Sequence, residues 1–276
     1  MSRSADVTII GAGALGRSLA LALHDAGVTI AAVYSAGGIS ARTLGRRVSS
    51  HFSGILSAES PLSPFVILAV PDDQIAVVAG QLRKHSDADR IRTLIHCSGA
   101  FSGDVLRPLM RRGTSIASMH PLMTFPKSGK RVPLKGAWFA LEGDRAAVTI
   151  CRSLVRKLGA SSFTISGKKK SLYHLAAVFA SNYPVTLLGV VEQLAADAGV
   201  PRKDIWRIFR PLVLAAVNNV LESSPAAALT GPIARGDRAT VLRHVQSLGT
   251  SKRLNHLLPL YAALGVETAA LAQRKR

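Results

Sequence analysis

Apolar residues in this chain come first in short, nearly unbroken runs and later in long stripes of helical spacing. The short runs are 7–10, 28–34, 65–70, 93–97, 116–118, 137–142 and 161–165, most of them ended by Gly, Pro, Asp or Ser. Continuous, β-branched runs of this length predict strands buried on both faces of a parallel sheet. Between them 17–23 and 146–158 carry helical patterns. Beyond residue 166 no further short runs occur. Instead 172–195, 204–222, 238–248 and 251–264 read as helices, punctuated by Gly199-Val200-Pro201, Ser223-Ser224-Pro225 and Gly231-Pro232. The pattern predicts an α/β domain over 1–166 and an all-helical domain over 167–276, joined near Gly167-Lys168, without internal repeats.

The first run leads into Gly11-Ala12-Gly13-Ala14-Leu15-Gly16, and a helix pattern follows at once. This strand, G-x-G-x-x-G and helix order suits a dinucleotide: Gly11 allows the tight turn, Gly13 admits the pyrophosphate to the backbone, and Gly16 lets helix and strand pack closely. A glycine-rich turn without ligand is the alternative. At the end of the second strand an NAD site usually places an acidic residue. This chain has Ser35, followed by Arg42, Arg46 and Arg47. Guanidinium groups without a carboxylate favour a 2′-phosphate, so NADP is expected rather than NAD, unless those arginines only solvate a helix face. Val70, Pro71 and Ser98 lie at strand ends on the predicted carboxyl edge and complete the expected cofactor contacts.

Composition narrows the class. The 276 residues are 48% hydrophobic and 18% charged, enough for a substantial core. Cys97 and Cys151 lack metal-ligand spacing and read as reduced thiols of a cytoplasmic protein, with no metal expected. The stretch 174–191 is apolar but holds His174, Ser181, Asn182 and Pro184, so no membrane span is expected. The net charge of +19 raises the question of nucleic acid, but the basic residues are scattered and aromatic residues are only 5%. Lys168-Lys169-Lys170 and Arg274-Lys275-Arg276 read as solvated surface, and no nucleic-acid partner is expected.

Several segments together carry a more specific signal. They are the glycine loop, Ala69-Val70-Pro71-Asp72, His96-Cys97-Ser98-Gly99, His120-Pro121-Leu122-Met123-Thr124-Phe125, Tyr173-His174-Leu175-Ala176-Ala177 with Ser181-Asn182-Tyr183, and Thr230-Gly231-Pro232-Ile233-Ala234-Arg235-Gly236-Asp237. Over nearly the whole chain they resemble the Rossmann-like bacterial family whose C-terminal half is domain of unknown function 2520. The resemblance places the chain among relatives of 6-phosphogluconate and hydroxyacid dehydrogenases, pyrroline-carboxylate reductase and deazaflavin-dependent NADP reductase. It implies a nucleotide domain joined to a helical domain that dimerises, an active site between them, and a reaction class rather than one reaction.

Within that frame, hydride chemistry needs a group that orients substrate and handles a proton. His120 is expected just after a strand, before Pro121 in an extended turn, and resembles the His-Pro of prephenate dehydrogenases, where the histidine engages substrate. A ring bonded to loop backbone is the other reading. His174 and Asn182 fall on one helix, about 80° and about 12 Å apart. Pro184 removes an N–H that would bond Ala180, so a kink beside Asn182 is expected. Related dehydrogenases carry Lys and Asn four residues apart on this helix. Here His174 stands as the nearest ionisable substitute, with Lys170 one turn earlier, which puts ordinary hydroxyacid oxidation in doubt. His174 and Asn182 read equally as buried, hydrogen-bonded residues. Ser98 is preferred to His96 for contact, though Ser98-Gly99 also reads as a cap and turn. Arg235 is the expected clamp for an anionic substrate, while Asp237 suits a helix cap. The sequence therefore points to an NADP-dependent oxidoreductase acting on a small, possibly anionic carbonyl, hydroxy or imine compound, working as a homodimer. The competing expectation is an NADP-binding sensor or scaffold without catalysis.

Overall fold

The computed structural model describes residues 6–111, 113–126 and 130–274. Its strands are β1 (Val7–Ile10), β2 (Ile30–Tyr34), β3 (Phe52–Gly54), β4 (Phe65–Leu68), β5 (Thr93–His96), β6 (Ser115–Pro121), β7 (Trp138–Gly143) and β8 (Ser161–Thr164). They form one eight-stranded sheet in the order β3-β2-β1-β4-β5-β6-β7-β8. All neighbours are parallel except β6 and β7, which run antiparallel. Among the sheet's helices, α1 (Ala14–Asp25), α2 (Ile39–Arg47) and α4 (Arg145–Lys157) pack on one face, and α3 (Asp72–Arg83) on the other.

The strand periodicity explains this division. Val7, Ile9, Ile67 and Ile95 enter the cluster with Leu19, Leu23, Leu44 and Val155. The alternate positions Ile10, Val66, Leu68 and Leu94 join Ile75, Ala79 and Leu82 from α3. Leu19, Leu23, Ile67 and Leu94 are wholly excluded from solvent, each worth roughly 2 kcal/mol relative to exposure.

Two details differ from the sequence expectation. Strand β3 was not expected: Phe-Ser-Gly has no apolar run, and it pairs only with β2 at the sheet edge. His120 lies inside β6 rather than after it, because the antiparallel pairing with β7 extends that strand through Pro121.

The remaining helices are α5 (Lys170–Asp197), α6 (Ile205–Glu222), α7 (Pro225–Ala228), α8 (Pro232–Arg235), α9 (Arg238–Thr250) and α10 (Leu258–Gln273). Helix α5 runs continuously through Pro184. Packing divides the chain into compact units of Met1–Asn182 and Tyr183–Arg276, so the start of α5 belongs with the sheet. In the second unit Asp237 caps α9, accepting the Thr240 amide at 3.0 Å. The buried hydrophobics described in this unit are Ala195, Ile205, Leu248 and Leu257, whereas Val185, Leu212, Leu221 and Val266 are each more than 60% exposed. One helical stretch, Gly167–Asp197, is long and apolar enough to cross a membrane by length and composition.

Candidate functional site

Strands β1, β4, β5 and β6 run parallel, so their carboxyl ends share one edge. The glycine loop leaves β1 at this edge. Gly11 has φ +108°, and a Cβ there would run into the Ala69 carbonyl oxygen, while a Cβ on Gly16 would strike the Gly11 carbonyl. Both glycines are required by protein packing. Gly13 differs: it is exposed, and a Cβ would meet nothing within 4 Å. The space over Gly13 therefore fits a ligand that approaches the backbone. Ala12 is buried beneath the loop, while Ala14 and Leu15 are half-buried in the first turn of α1. One residue past Gly16, Arg17 keeps a buried Nε without a hydrogen-bond partner.

At the end of β2, the Ser35 hydroxyl accepts from the Ala41 amide at 3.3 Å and from the Ser40 hydroxyl at 3.0 Å. Arg42 folds back over Gly38, where a Cβ would sit 2.8 Å from its Nη1. Arg46 follows one turn later on the same side of α2, and both arginines are exposed. Val70 packs against Gly11, and Pro71 occupies the N-cap of α3.

Ser98, after β5, is a junction rather than a free hydroxyl. Its Oγ donates to Asp72 Oδ2 at 2.9 Å and accepts the amides of Ala100 and Phe101, both at 3.1 Å. The cap-and-turn role is thus present in full. Its carbonyl accepts from the Ser118 hydroxyl at 3.0 Å and from Lys170 Nζ at 3.0 Å. His96 is wholly buried: Nδ1 accepts the Ser98 amide and Nε2 lies 3.1 Å from the Ser102 carbonyl. Burial pushes its pKa down to about 4, with the Lys170 charge adding to that and the Ser102 bond opposing it. The thiols of Cys97 and Cys151 are buried and free, both pushed up by burial, Cys97 to about 12.

Lys170 corrects the reading of the lysine triplet as solvated surface. Lys168 and Lys169 are exposed, but Lys170 opens α5 pointed at the sheet and is only 1% exposed. Its ammonium reaches Ser98 O at 3.0 Å and Ser118 Oγ at 2.6 Å. Burial lowers its pKa to about 8, against the opposing charges of Glu142, Cys97 and Asp72. One helical turn on, Tyr173 and His174 share the face of Lys170. The Tyr173 hydroxyl lies 2.9 Å from His120 Nδ1. The rings of His120 and His174 stand edge to face, 6.0 Å between centroids.

Gly99 makes this arrangement possible. Its φ is unexceptional, but a Cβ would lie 2.8 Å from His120 Cε1 and Nε2 and 2.5 Å from His174 Cδ2. The missing methyl seats both rings over the backbone. Burial, with the charges of Lys170, His174 and His96, pushes His120 down to about 4. Burial also pushes Tyr173 up to about 12. Both groups are therefore neutral near pH 7.

His120, His174 and Asn182, the three residues proposed for chemistry from the sequence, line one cavity of about 670 Å³ with Leu122, Met123 and Thr124 and the α5 face from Tyr173 to Asn182. Arg235 is exposed in the second unit, at the end of α8. Sequence reasoning left out Tyr173 and Lys170 as site residues, although the i, i+3, i+4 spacing of Lys170, Tyr173 and His174 was a usable signal. Among the described residues no cluster of His, Cys, Asp and Glu could hold a metal ion.

The fold is that of a dinucleotide-binding α/β protein with a helical C-terminal region. A Rossmann-like domain model matches residues 2–121, and the model of domain of unknown function 2520 matches 137–268. The chain thus combines a Rossmann-like domain with domain of unknown function 2520. No curated protein matches its sequence. A candidate NADP oxidoreductase from Bacteroides fragilis is 23% identical, with a TM-score of 0.78 over 97% of this chain and 98% of its own. Protein TM1727 from Thermotoga maritima is 24% identical, with a TM-score of 0.74 over 98% and 99%. A reductive aminase from Aspergillus terreus, in complex with NADPH4, cyclohexanone and allyl amine, is 16% identical, with a TM-score of 0.64 over 99% and 100%. At these identities the likeness is one of fold.

Proposed function

We propose that this protein is an NADP-dependent oxidoreductase that transfers hydride to or from a small carbonyl, hydroxy or imine compound. The observation that carries the proposal is the neutral His120–Tyr173 pair, lining a cavity at the same carboxyl edge that carries the open glycine loop. The names of the Bacteroides and Aspergillus neighbours support the reaction class.

In this reading Gly11, Gly13 and Gly16 with the first turn of α1 hold the pyrophosphate, and Ser35 and Arg42 hold the 2′-phosphate. When bound, the nicotinamide supplies or accepts the hydride. The chain's own residues bind the substrate and handle its proton. With Tyr173 donating to Nδ1, neutral His120 carries its ring proton on Nε2, beside Gly99. There it can polarise a carbonyl or imine without carrying full charge. His174 and Asn182 orient the substrate from α5. Lys170 does not touch it: its ammonium ties Ser98 to Ser118 and helps keep His120 neutral. The buried free thiols suit a reducing cytoplasmic setting.

The exposed apolar surface of the helical unit supports a homodimer. Val185, Leu212, Leu221, Leu242 and Val266 are each 60% or more exposed, and an open apolar groove of about 840 Å³ runs between α9 and α10. Exposed apolar side chains in this number exceed what isolated surface hydrophobics usually amount to and are what an interface between copies would cover. A second copy of the same chain covers them.

Calorimetric titration with NADPH and NADH at two salt concentrations tests the cofactor. NADPH should bind one per chain and more tightly than NADH, and Arg42→Ala should weaken NADPH about tenfold while leaving NADH unchanged. Preference for NADH would refute the 2′-phosphate assignment. Tight NADPH binding without turnover on any ketone, aldehyde or imine would favour the sensor reading.

A further inference from the structure

We propose that the compound received by the His120 cavity is an uncharged ketone, aldehyde or imine, and not a carboxylate-bearing or phosphorylated one. The proposal rests on the reductase reading and narrows the small, possibly anionic substrate expected from the sequence.

Three observations carry it. First, among the described residues lining the cavity there is no Asp, Glu, Lys or Arg. Second, the ammonium of Lys170, on the same helix as Tyr173 and His174, is already committed. Lys170 is 1% exposed, and its ammonium is bonded to Ser98 O and Ser118 Oγ. Third, the α5 wall next to Tyr173 is built from Ala176, Ala177 and Ala180. With Tyr173 these fall at i, i+3, i+4 and i+7, a single small-residue stripe that gives room and apolar contact without charge.

A carboxylate or phosphate placed here would lose hydration without gaining a guanidinium or ammonium partner among the described lining residues. A neutral carbonyl or imine loses far less. Its oxygen or nitrogen meets donors that are present: the Nε2–H of His120, the hydroxyl of Thr124 and the side-chain amide of Asn182. Sites built for carboxylates present an arginine fork.

The test uses two matched pairs on the full-length protein saturated with NADPH: 1-pyrroline against 1-pyrroline-5-carboxylate, and cyclopentanone against 3-oxocyclopentane-1-carboxylate. Affinity by calorimetry and NADPH consumption are recorded for each. The neutral member of each pair should bind at least about tenfold more tightly. Ala177→Arg should reverse the order by adding the missing cation, and Ala180→Lys repeats the experiment if that variant does not fold. Unaltered NADPH affinity reports an intact nucleotide site in both. Tighter binding of the carboxylated members to the unaltered protein would overturn the proposal. If Arg235→Ala then abolished that preference, the anion clamp would be established instead. Failure of all four compounds to bind would remove the cavity as a substrate site. Failure of NADPH itself to bind would reject the underlying reductase reading.

Discussion

The sheet unit and the helical unit treat their apolar residues in opposite ways. In the first, alternate strand positions fill two dense clusters, and side chains such as Leu19, Ile67 and Leu94 have no exposed surface. In the second, comparably apolar helices leave Leu221 78% and Val185 70% exposed. Hydropathy is therefore not the difference. A sheet covered by helices closes its own core, whereas α6, α9 and α10 leave large apolar side chains exposed.

Breaking that surface should give the largest effect. Leu212→Asp with Val266→Asp should dissociate the proposed dimer and cost several kcal/mol of apparent stability, read by sedimentation and by a concentration-dependent Tm. Val77→Asp, at a 52% exposed position on α3, should change neither. If both substitutions were silent, the helical surface would not be an interface between copies.

The glycine loop sharpens the contrast inside the closed unit. Gly16→Ala forces a methyl into the Gly11 carbonyl and should cost about 2–4 kcal/mol by urea unfolding. Gly13→Ala meets open space, so stability should hardly move while NADPH affinity falls about tenfold or more. Equal stability losses in both variants would mean that Gly13 serves packing rather than ligand.

A smaller effect comes from the buried histidines. His96 and His120 have folded pKa values of about 4, below the ordinary 6.5. Between pH 6.5 and 4 the unfolded chain binds protons that the folded chain refuses. Their neutral burial is thus fully tolerated above pH 6.5, and stability falls as pH drops toward 4. For His96 alone the loss reaches about 3 kcal/mol. His96→Asn, which keeps an acceptor for the Ser98 amide, should flatten the decline measured between pH 7 and 4.5.

The sheet was legible because buried parallel strands write continuous apolar runs, and the glycine loop because its spacing has a backbone cause. Strand β3 left no such trace, since an edge strand of Phe-Ser-Gly owes its form to pairing with Ala32, Val33 and Tyr34. Lys170 was hidden by composition: three successive lysines look alike, and only the helix phase turns one of them inward. Gly99 was hidden for a different reason. Its requirement comes from rings far along the chain at 120 and 174, not from its own backbone angles.

The Lys170 bonds also set an order of events during synthesis. Strands β5 and β6 are complete by residue 121, but the ammonium that joins Ser98 to Ser118 lies 72 and 52 positions further along the chain from them, respectively. A nascent chain can therefore assemble most of its sheet while the strand ends that frame His120 still lack their shared partner. The site is finished only when α5 leaves the ribosome, so a chain truncated before residue 170 should display the nucleotide half of the molecule with its chemistry unassembled.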